Sequence, residues 1–213
     1  MLDFKDRIFI HIPNNDKYSN KKDEKMELTE KWVLTTEIGN LSIREIEIKT
    51  LAEKVLSEIM KVPKEIRNNT KESTGVAVFL SPRQCDNYLR FNIGDPSDQD
   101  IRYSQRKAEM LDFTGYYTTR KHEDSEKAIY PGGISTDGCI GEQPNETNPK
   151  KLWLNIGVSG LKPDEDETIA IIILAAILDV TPKEMVKNIV YGPISENITR
   201  KGHYLYEIIQ KFS

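Results

Sequence analysis

The stretch IGVSGLKPDEDE, residues 156–167, predicts a strand, a turn and a helix, and it runs directly into the apolar stretch IAIIILAAIL. The preceding LWLNIGV has strand character, and Ser159 and Gly160 supply the turn. Pro163 suits a first helical position, because the N–H that proline lacks has no helical partner there. The four carboxylates at 164–167 then complement the positive end of the helix dipole, each by about 0.3–1 kcal/mol when exposed.

Length and charge limit the classes of partner. The chain has 213 residues, with 30 Lys+Arg against 34 Asp+Glu and a net charge of -4. This balance gives no general attraction to nucleic acid or to anionic lipid. The longest apolar run, 169–178, is far shorter than the ~20 residues of a membrane-spanning helix, and no secretory signal is visible. We therefore expect a cytoplasmic protein that binds neither nucleic acid nor membrane.

The two cysteines, Cys85 and Cys139, form neither a disulfide framework nor a zinc-binding spacing. We expect both to be reduced thiols. The three histidines are His11, His122 and His203. A surface or structural role is expected for each.

The remaining pattern alternates hairpins with helices, which favours an α+β fold around one antiparallel sheet. Ser42 has the capping-box spacing to Glu45 and is predicted to begin an amphipathic helix whose apolar pattern runs to Met60 and which ends near Pro63. Thr181 has the same spacing to Glu184. The other predicted elements are strands at 7–12 and 32–38, a polar loop at 13–30, a hairpin of 75–80 and 87–93, a helix at 98–113, an extended piece from 116, antiparallel strands at 130–138 and 151–160, and a terminal helix at 198–212.

Three blocks resemble a known family when they are taken in order. They are DIRYSQRKAEMLDFTG (100–115), YPGGIST (130–136) and the opening IGVSGLKPDEDE. Together they resemble the GlcG/HbpS family, also called the haem-degrading domain family, and within it a branch of cytosolic fungal and bacterial proteins. The matched region covers about 42–179.

The resemblance implies a profilin-like or PAS/GAF-like sandwich, with a central five-stranded antiparallel sheet flanked by helices. It places this domain at 42–180, after an N-terminal extension (1–41) with strands and a polar loop. A C-terminal helical extension (181–213) is expected to pack on the same domain. Members of the family commonly form symmetric homo-oligomers, and several have a ligand cleft associated with haem or a related tetrapyrrole.

Arg106 and Lys107 are candidate cations for an anionic ligand. As consecutive helical residues they point about 100° apart, so at least one should reach a surface or a cleft. Lys107 either contacts a carboxylate or propionate of a ligand, or forms an ion pair with the acidic run 164–167 or with another subunit.

Two glycine-containing sites complete the set of candidate ligand-binding residues. Gly132 and Gly133 permit positive φ and a close backbone approach, which suits either an anion or a strand bend. Ser159 and Gly160, at the end of a strand, allow the same two interpretations. The nucleotide-binding fingerprints GxGxxG and GxxxxGK[ST] are absent from the sequence.

Residue types argue against a metal site. Consecutive carboxylates at 164–167 diverge on a helix, whereas hard cations need converging oxygens. Some haem-binding relatives have an axial histidine in the first matched helix, but residues 43–61 contain none, and Pro131 stands where the cytosolic branch tends to have histidine. We therefore predict no metal ligands, although Cys139 or Met60 could in principle ligate iron.

Three functions fit these residues. The first is a non-catalytic protein that binds or senses a small anionic molecule, such as haem or another tetrapyrrole, and forms a homo-oligomer. The second is an oligomeric adaptor that binds partner proteins. The third is a cleft enzyme, for example a tetrapyrrole-degrading one, with Lys107 and Asp166 as an acid/base pair.

Overall fold

The computed structural model describes residues 9–10, 31–36, 39–68, 74–82, 88–114, 119, 132–139, 151–189 and 194–213. The strands are β1 Phe9–Ile10, β2 Lys31–Thr36, β3 Gly39–Arg44, β4 Thr74–Pro82, β5 Leu89–Asp95, β6 Gly133–Cys139 and β7 Lys151–Ser159. The helices are α1 Glu45–Lys61, α2 Lys64–Arg67, α3 Asp98–Thr114, α4 Pro163–Ile177, α5 Pro182–Asn188, α6 Glu196–Thr199 and α7 Tyr204–Lys211.

A four-stranded antiparallel sheet lies at the centre of the fold, with strand order β5-β4-β7-β6. Both predicted hairpins are confirmed, since β4 pairs with β5 and β6 pairs with β7. The register places Phe79 opposite both Arg90 and Gly157, and Gly157 opposite Gly133. Mixed helix and antiparallel sheet confirm the predicted α+β class. The fifth strand and the profilin-like arrangement stay predictions, and the extended piece from 116 lies outside the described residues.

The two faces of this sheet differ in composition. One face packs against α1 and α4 and is predominantly aliphatic, because alternate residues of each strand enter a single apolar core. The sheet residues in this core are Val76, Val78, Leu80, Leu89, Phe91, Ile93, Ile134, Leu154, Ile156 and Val158. The other face packs against α3, which contacts β4, β6 and β7.

The predicted start of α4 is confirmed, since the helix begins at Pro163. Its middle, 169–175, is fully buried. The C-terminal segments α5 and α7 pack on α4, and the Thr181–Glu184 capping box forms as predicted. The domain boundaries remain predictions.

Two predicted element boundaries were wrong. Ser42 does not cap a helix: it lies in β3 opposite Val33, so antiparallel pairing with β2 takes precedence over the capping-box pattern, and α1 begins at Glu45. The terminal helix predicted at 198–212 is divided into α6 and α7. The chain turns at Gly202, whose φ is 84°, and His203 becomes the N-cap of α7.

The three-stranded sheet β1-β2-β3 was predicted in part. Its first two strands correspond to the described parts of the predicted 7–12 and 32–38, and β3 was not predicted. The polar loop at 13–30 lies outside the described residues. Across the part of the chain that the structure describes, no helix combines the length and the apolar character needed to cross a membrane.

Candidate functional site

The carboxylates that open α4 hold different parts of the chain together. Asp164 Oδ2 accepts a hydrogen bond from Asn197 Nδ2 at 2.6 Å. Glu167 Oε2 accepts one from the Ser195 N–H at 3.1 Å. The last three carboxylates of the run are buried. Dipole complementarity at an exposed helix end therefore does not describe them, and this part of the sequence interpretation was incomplete.

Lys107 forms a buried ion pair with Asp166. Lys107 Nζ donates to Asp166 Oδ2 at 3.1 Å and to Val158 O at 2.5 Å. Asp166 Oδ1 accepts the Leu161 N–H at 3.0 Å. Both charged side chains are about 5% exposed or less, so each compensates a charge that would be costly alone. Of the two interpretations of Lys107, the ion pair with the acidic run is the arrangement present here.

The ammonium of Lys107 retains one further hydrogen-bonding direction. An ammonium carries three N–H donors. Across the residues that the structure describes, Lys107 Nζ has two acceptors, Val158 O and Asp166 Oδ2.

Gly132 lies beside this ammonium, whereas Gly133 lies against Thr119 and the Cβ of Lys107. Gly132 has φ 113°, and a Cβ there would come 2.8 Å from Lys107 Nζ. The Gly133 N–H donates to Thr119 Oγ1 at 2.9 Å, and the Thr119 N–H donates to Gly133 O at 3.0 Å. The close approach predicted at this glycine pair therefore exists at Gly132, but the group that lies against Gly132 is the ammonium of Lys107.

The other predicted site residues are Ser159 and Gly160 at the end of β7 and Arg106 on α3. Ser159 is buried at the end of β7, with its Oγ 3.5 Å from Asp100 Oδ1, and it lies next to Val158, which binds Lys107. Gly160 has φ 143°, and a side chain there would overlap the backbone of Gly75. Arg106, by contrast, is exposed on α3 and does not join this cluster.

The sheet surface under α3, here called the α3 face, combines small and polar residues with the aromatic ring of Phe79. Asn155, Gly157 and Ser159 alternate along β7 and therefore share this face. A Cβ at Gly157 would overlap Ser104 O, so α3 lies very close to the strand. The buried polar residues of this layer are Ser81, Ser104, Lys107, Asn155 and Ser159. Buried polar side chains are costly in an apolar core, so their concentration on one face distinguishes it from the apolar face that packs against α1 and α4.

A second buried cluster joins α2, α4 and α7, and the sequence interpretation missed it. Arg67 binds Glu165 through two hydrogen bonds, Nε to Oε1 at 2.6 Å and Nη2 to Oε2 at 2.9 Å. Tyr204 OH donates to Glu165 Oε1 at 3.0 Å. The Lys162 N–H donates to Glu165 Oε2 at 3.2 Å, which is the return bond of a capping box.

The charges of this second cluster stabilise one another. The hydrogen bonds to Glu165 raise the pKa of Arg67 above its ordinary value. Burial, followed by the Glu165 charge, raises the pKa of Tyr204. Both groups therefore keep their ordinary protonation state at neutral pH. No periodic pattern in the sequence singles out Arg67, whose partner lies 98 residues away.

The described residues offer little for metal ligation. Within the described ranges, no group of three or more His, Cys, Asp or Glu side chains could hold a metal ion. His203 caps α7, with Nδ1 accepting the Leu205 N–H at 3.3 Å, and its ring packs on Tyr204. His11, His122 and Cys85 lie outside the described residues. Met60 Sδ accepts a hydrogen bond from Arg67 Nη1 at 3.0 Å.

Comparisons with known proteins add no relative to this picture. No protein-family model, curated protein or solved structure matches the chain. The resemblance to the GlcG/HbpS family therefore stays a prediction.

Proposed function

We propose that this protein is a non-catalytic binding or sensing protein for a small anionic molecule, held at the α3 face of the four-stranded sheet. One observation carries the proposal: the buried polar side chains of the sheet, together with the buried cation Lys107, lie on this face, whereas the opposite face is predominantly aliphatic. Ligand sites typically combine a mostly apolar surround with a few placed polar groups.

In such a site, Lys107 helps to hold the anion. In this proposal its third N–H donates to a carboxylate oxygen of the ligand, while Asp166 and Val158 O keep the ammonium in place. Gly132 and Gly133 border this position, and Ser159 lies one residue beyond Val158. Arg106 is exposed and points about 100° away from Lys107 around α3, so it is not part of the proposed site.

The family resemblance supplies the ligand class and assembly within this proposal. Haem or a related tetrapyrrole is a candidate ligand because its propionates are anionic, and a cytoplasmic homo-oligomer is the expected assembly. An adaptor that binds partner proteins remains the second prediction. Neither the ligand-binding function nor the adaptor function requires a metal ligand among the described residues.

The enzymatic alternative has weaker geometric support. Lys107 and Asp166 are in contact, as an acid/base pair would be. However, Asp166 Oδ1 accepts the Leu161 N–H and Oδ2 accepts from Lys107, so both oxygens are engaged in holding the structure. A general base must reach the proton that it removes.

Native mass spectrometry of the purified full chain tests the proposal. The expected result is an oligomer that carries additional mass, which is released on denaturation and identified as an anionic small molecule. Protein that is stripped of ligand should regain a stoichiometric adduct with hemin or another small anion. Bare oligomers that take up neither hemin nor any anion from a panel of carboxylates would contradict the proposal.

A further inference from the structure

The outer strand β5 presents three exposed polar or aromatic positions in a row. Its burial alternates, with Leu89, Phe91 and Ile93 buried in the core and Arg90 and Asn92 exposed. Tyr88, which precedes the strand, continues the exposed series and is 53% exposed. Residues two apart on a strand are about 6.6–6.8 Å apart and lie on the same side.

These exposed positions lie on the α3 face of the sheet, beside the part that α3 covers. Arg90 is opposite Phe79, and Asn92 is opposite Ala77. Phe79 pairs across to Gly157, against which α3 packs. The row Tyr88, Arg90 and Asn92 is therefore on the same side of the sheet as the candidate site, with the apolar Ala77 and Phe79 of β4 between them.

Tyr88 is held in a defined orientation despite its exposure. Its ring stacks on Phe79, with centroids 4.8 Å apart and planes 22° apart. Phe79 itself is 4% exposed, so one face of the tyrosine ring is supported by a buried aromatic residue. A planar ligand can stack on the exposed ring without the cost of ordering it first.

Arg90 supplies the charge that such a surface needs. Over the described ranges of the chain, its guanidinium has no hydrogen bond or ion pair. Arg90 is two residues beyond Tyr88 and on the same side of the strand. A guanidinium matches a carboxylate with two parallel hydrogen bonds. The buried residues on either side of Arg90 anchor the strand, so the guanidinium projects from a rigid support.

We propose that the exposed row Tyr88, Arg90 and Asn92 is a docking site for a planar aromatic carboxylate. The ring of the ligand stacks on Tyr88, its carboxylate pairs with Arg90, and Asn92 hydrogen-bonds a further polar substituent. This inference goes beyond the proposed function. In the strand order β5-β4-β7-β6, Arg90 lies on β5, whereas the Lys107 ammonium lies beside Val158 of β7 and beside Gly132. The carboxylate that pairs with Arg90 is therefore a separate contact from the one proposed for Lys107.

The test uses 2-naphthoate as the probe, titrated into the full chain by isothermal calorimetry. Arg90→Gln should raise the Kd by roughly tenfold, because a charge-assisted pair is lost. Arg90→Lys should recover part of the loss, and Tyr88→Leu should weaken binding while Tyr88→Phe retains it. The matched control is Arg102→Gln, which removes an exposed arginine from α3 and should leave the Kd unchanged.

Two further probes separate the contributions of charge and ring. The neutral 2-naphthalenemethanol and the non-aromatic cyclohexanecarboxylate should both bind more weakly than 2-naphthoate. Equal binding by Arg90→Gln and Arg102→Gln, equal binding of the neutral alcohol, or no binding of 2-naphthoate would overturn the inference. An Arg90→Gln protein that loses binding of 2-naphthoate but keeps its native ligand in mass spectrometry is the expected result, because the two contacts are separate.

Discussion

At the scale of single residues, the carboxylates of the acidic run have different roles although they are adjacent in sequence. Glu165 binds Arg67 and Tyr204, whereas Asp166 forms an ion pair with Lys107. Consecutive helical positions diverge by about 100°, so adjacent acids necessarily face different neighbours. This divergence lets one helix end connect two buried cations on different elements.

Breaking the Lys107–Asp166 pair should strongly destabilise the fold. Lys107→Met leaves Asp166 buried without its cation, and we expect a loss of about 3–5 kcal/mol in the free energy of unfolding. Adding Asp166→Asn should recover part of this loss, because the amide oxygen still accepts the Leu161 N–H. Urea denaturation of the variants measures both values.

The control for this pair is the neighbouring exposed residue. Arg106→Gln should change the free energy of unfolding by no more than about 0.5 kcal/mol. A double variant no more stable than Lys107→Met would show that the two side chains are not electrostatically coupled.

Gly157 should be intolerant of even a methyl group. Gly157→Ala forces a Cβ into Ser104 O, and we expect a cost of about 1–3 kcal/mol from overpacking. Gly202→Ala is the matched comparison: its Cβ meets nothing within 4 Å, so only the positive φ is penalised. Hydrogen exchange should accelerate across α3 in Gly157→Ala alone, and protection of α3 equal to wild type would refute close helix packing at this position.

At the scale of elements, the sequence predicted helices and strands better than their ends. Pro163 and the Thr181 capping box mark helix starts correctly, since both act through local backbone chemistry. Ser42 has the same local pattern but lies in a strand, because pairing with β2 is a long-range effect that a capping motif cannot reveal. The contact of Lys107 with the acidic run was among the predicted alternatives, whereas Arg67 was missed because nothing local marks a partner 98 residues away.

The N-cap of α7 should make stability sensitive to pH. Burial, with Arg200 and Lys162 adding to it and Asp164 opposing it, lowers the pKa of His203 below the ordinary 6.5. The unfolded chain therefore binds a proton more readily, so stability is complete above about pH 6.5 and falls as pH decreases through the folded pKa. Protonation also removes the Nδ1 acceptor from the Leu205 N–H.

Thermal unfolding between about pH 7 and pH 5 measures this effect, a range in which most exposed carboxylates stay ionised. His203→Asn keeps a capping acceptor and removes the titration, so its stability should depend less on pH. Identical pH dependence of the wild type and His203→Asn would exclude the histidine as the cause.

At the scale of the whole molecule, the C-terminal helices are part of the same core as the sheet. Met185, Ile198, Leu205, Ile208 and Ile209 are buried in it, and Tyr204 binds Glu165. The C-terminal segment therefore stabilises the helix start from which the Lys107 pair is built.

Removing 181–213 should prevent stable folding. The truncation exposes the apolar side of α4 and leaves Glu165 without Tyr204, so we expect aggregation in size-exclusion chromatography and binding of a hydrophobic dye. A milder variant, Leu205→Ala, should cost about 2–5 kcal/mol, while Lys201→Ala on the exposed turn should change little. A truncated chain that unfolds at the wild-type temperature would show that the two parts are independent.

The central claim is that a small anion binds at the α3 face of the sheet. Backbone amide NMR of the full chain, titrated with 2-naphthoate, tests it most directly. We predict chemical-shift changes concentrated at residues 77–81, 88–92 and along α3, with α1 and α7 unaffected. Shifts confined to α1, α4 or α7, on the aliphatic side of the sheet, would contradict the account.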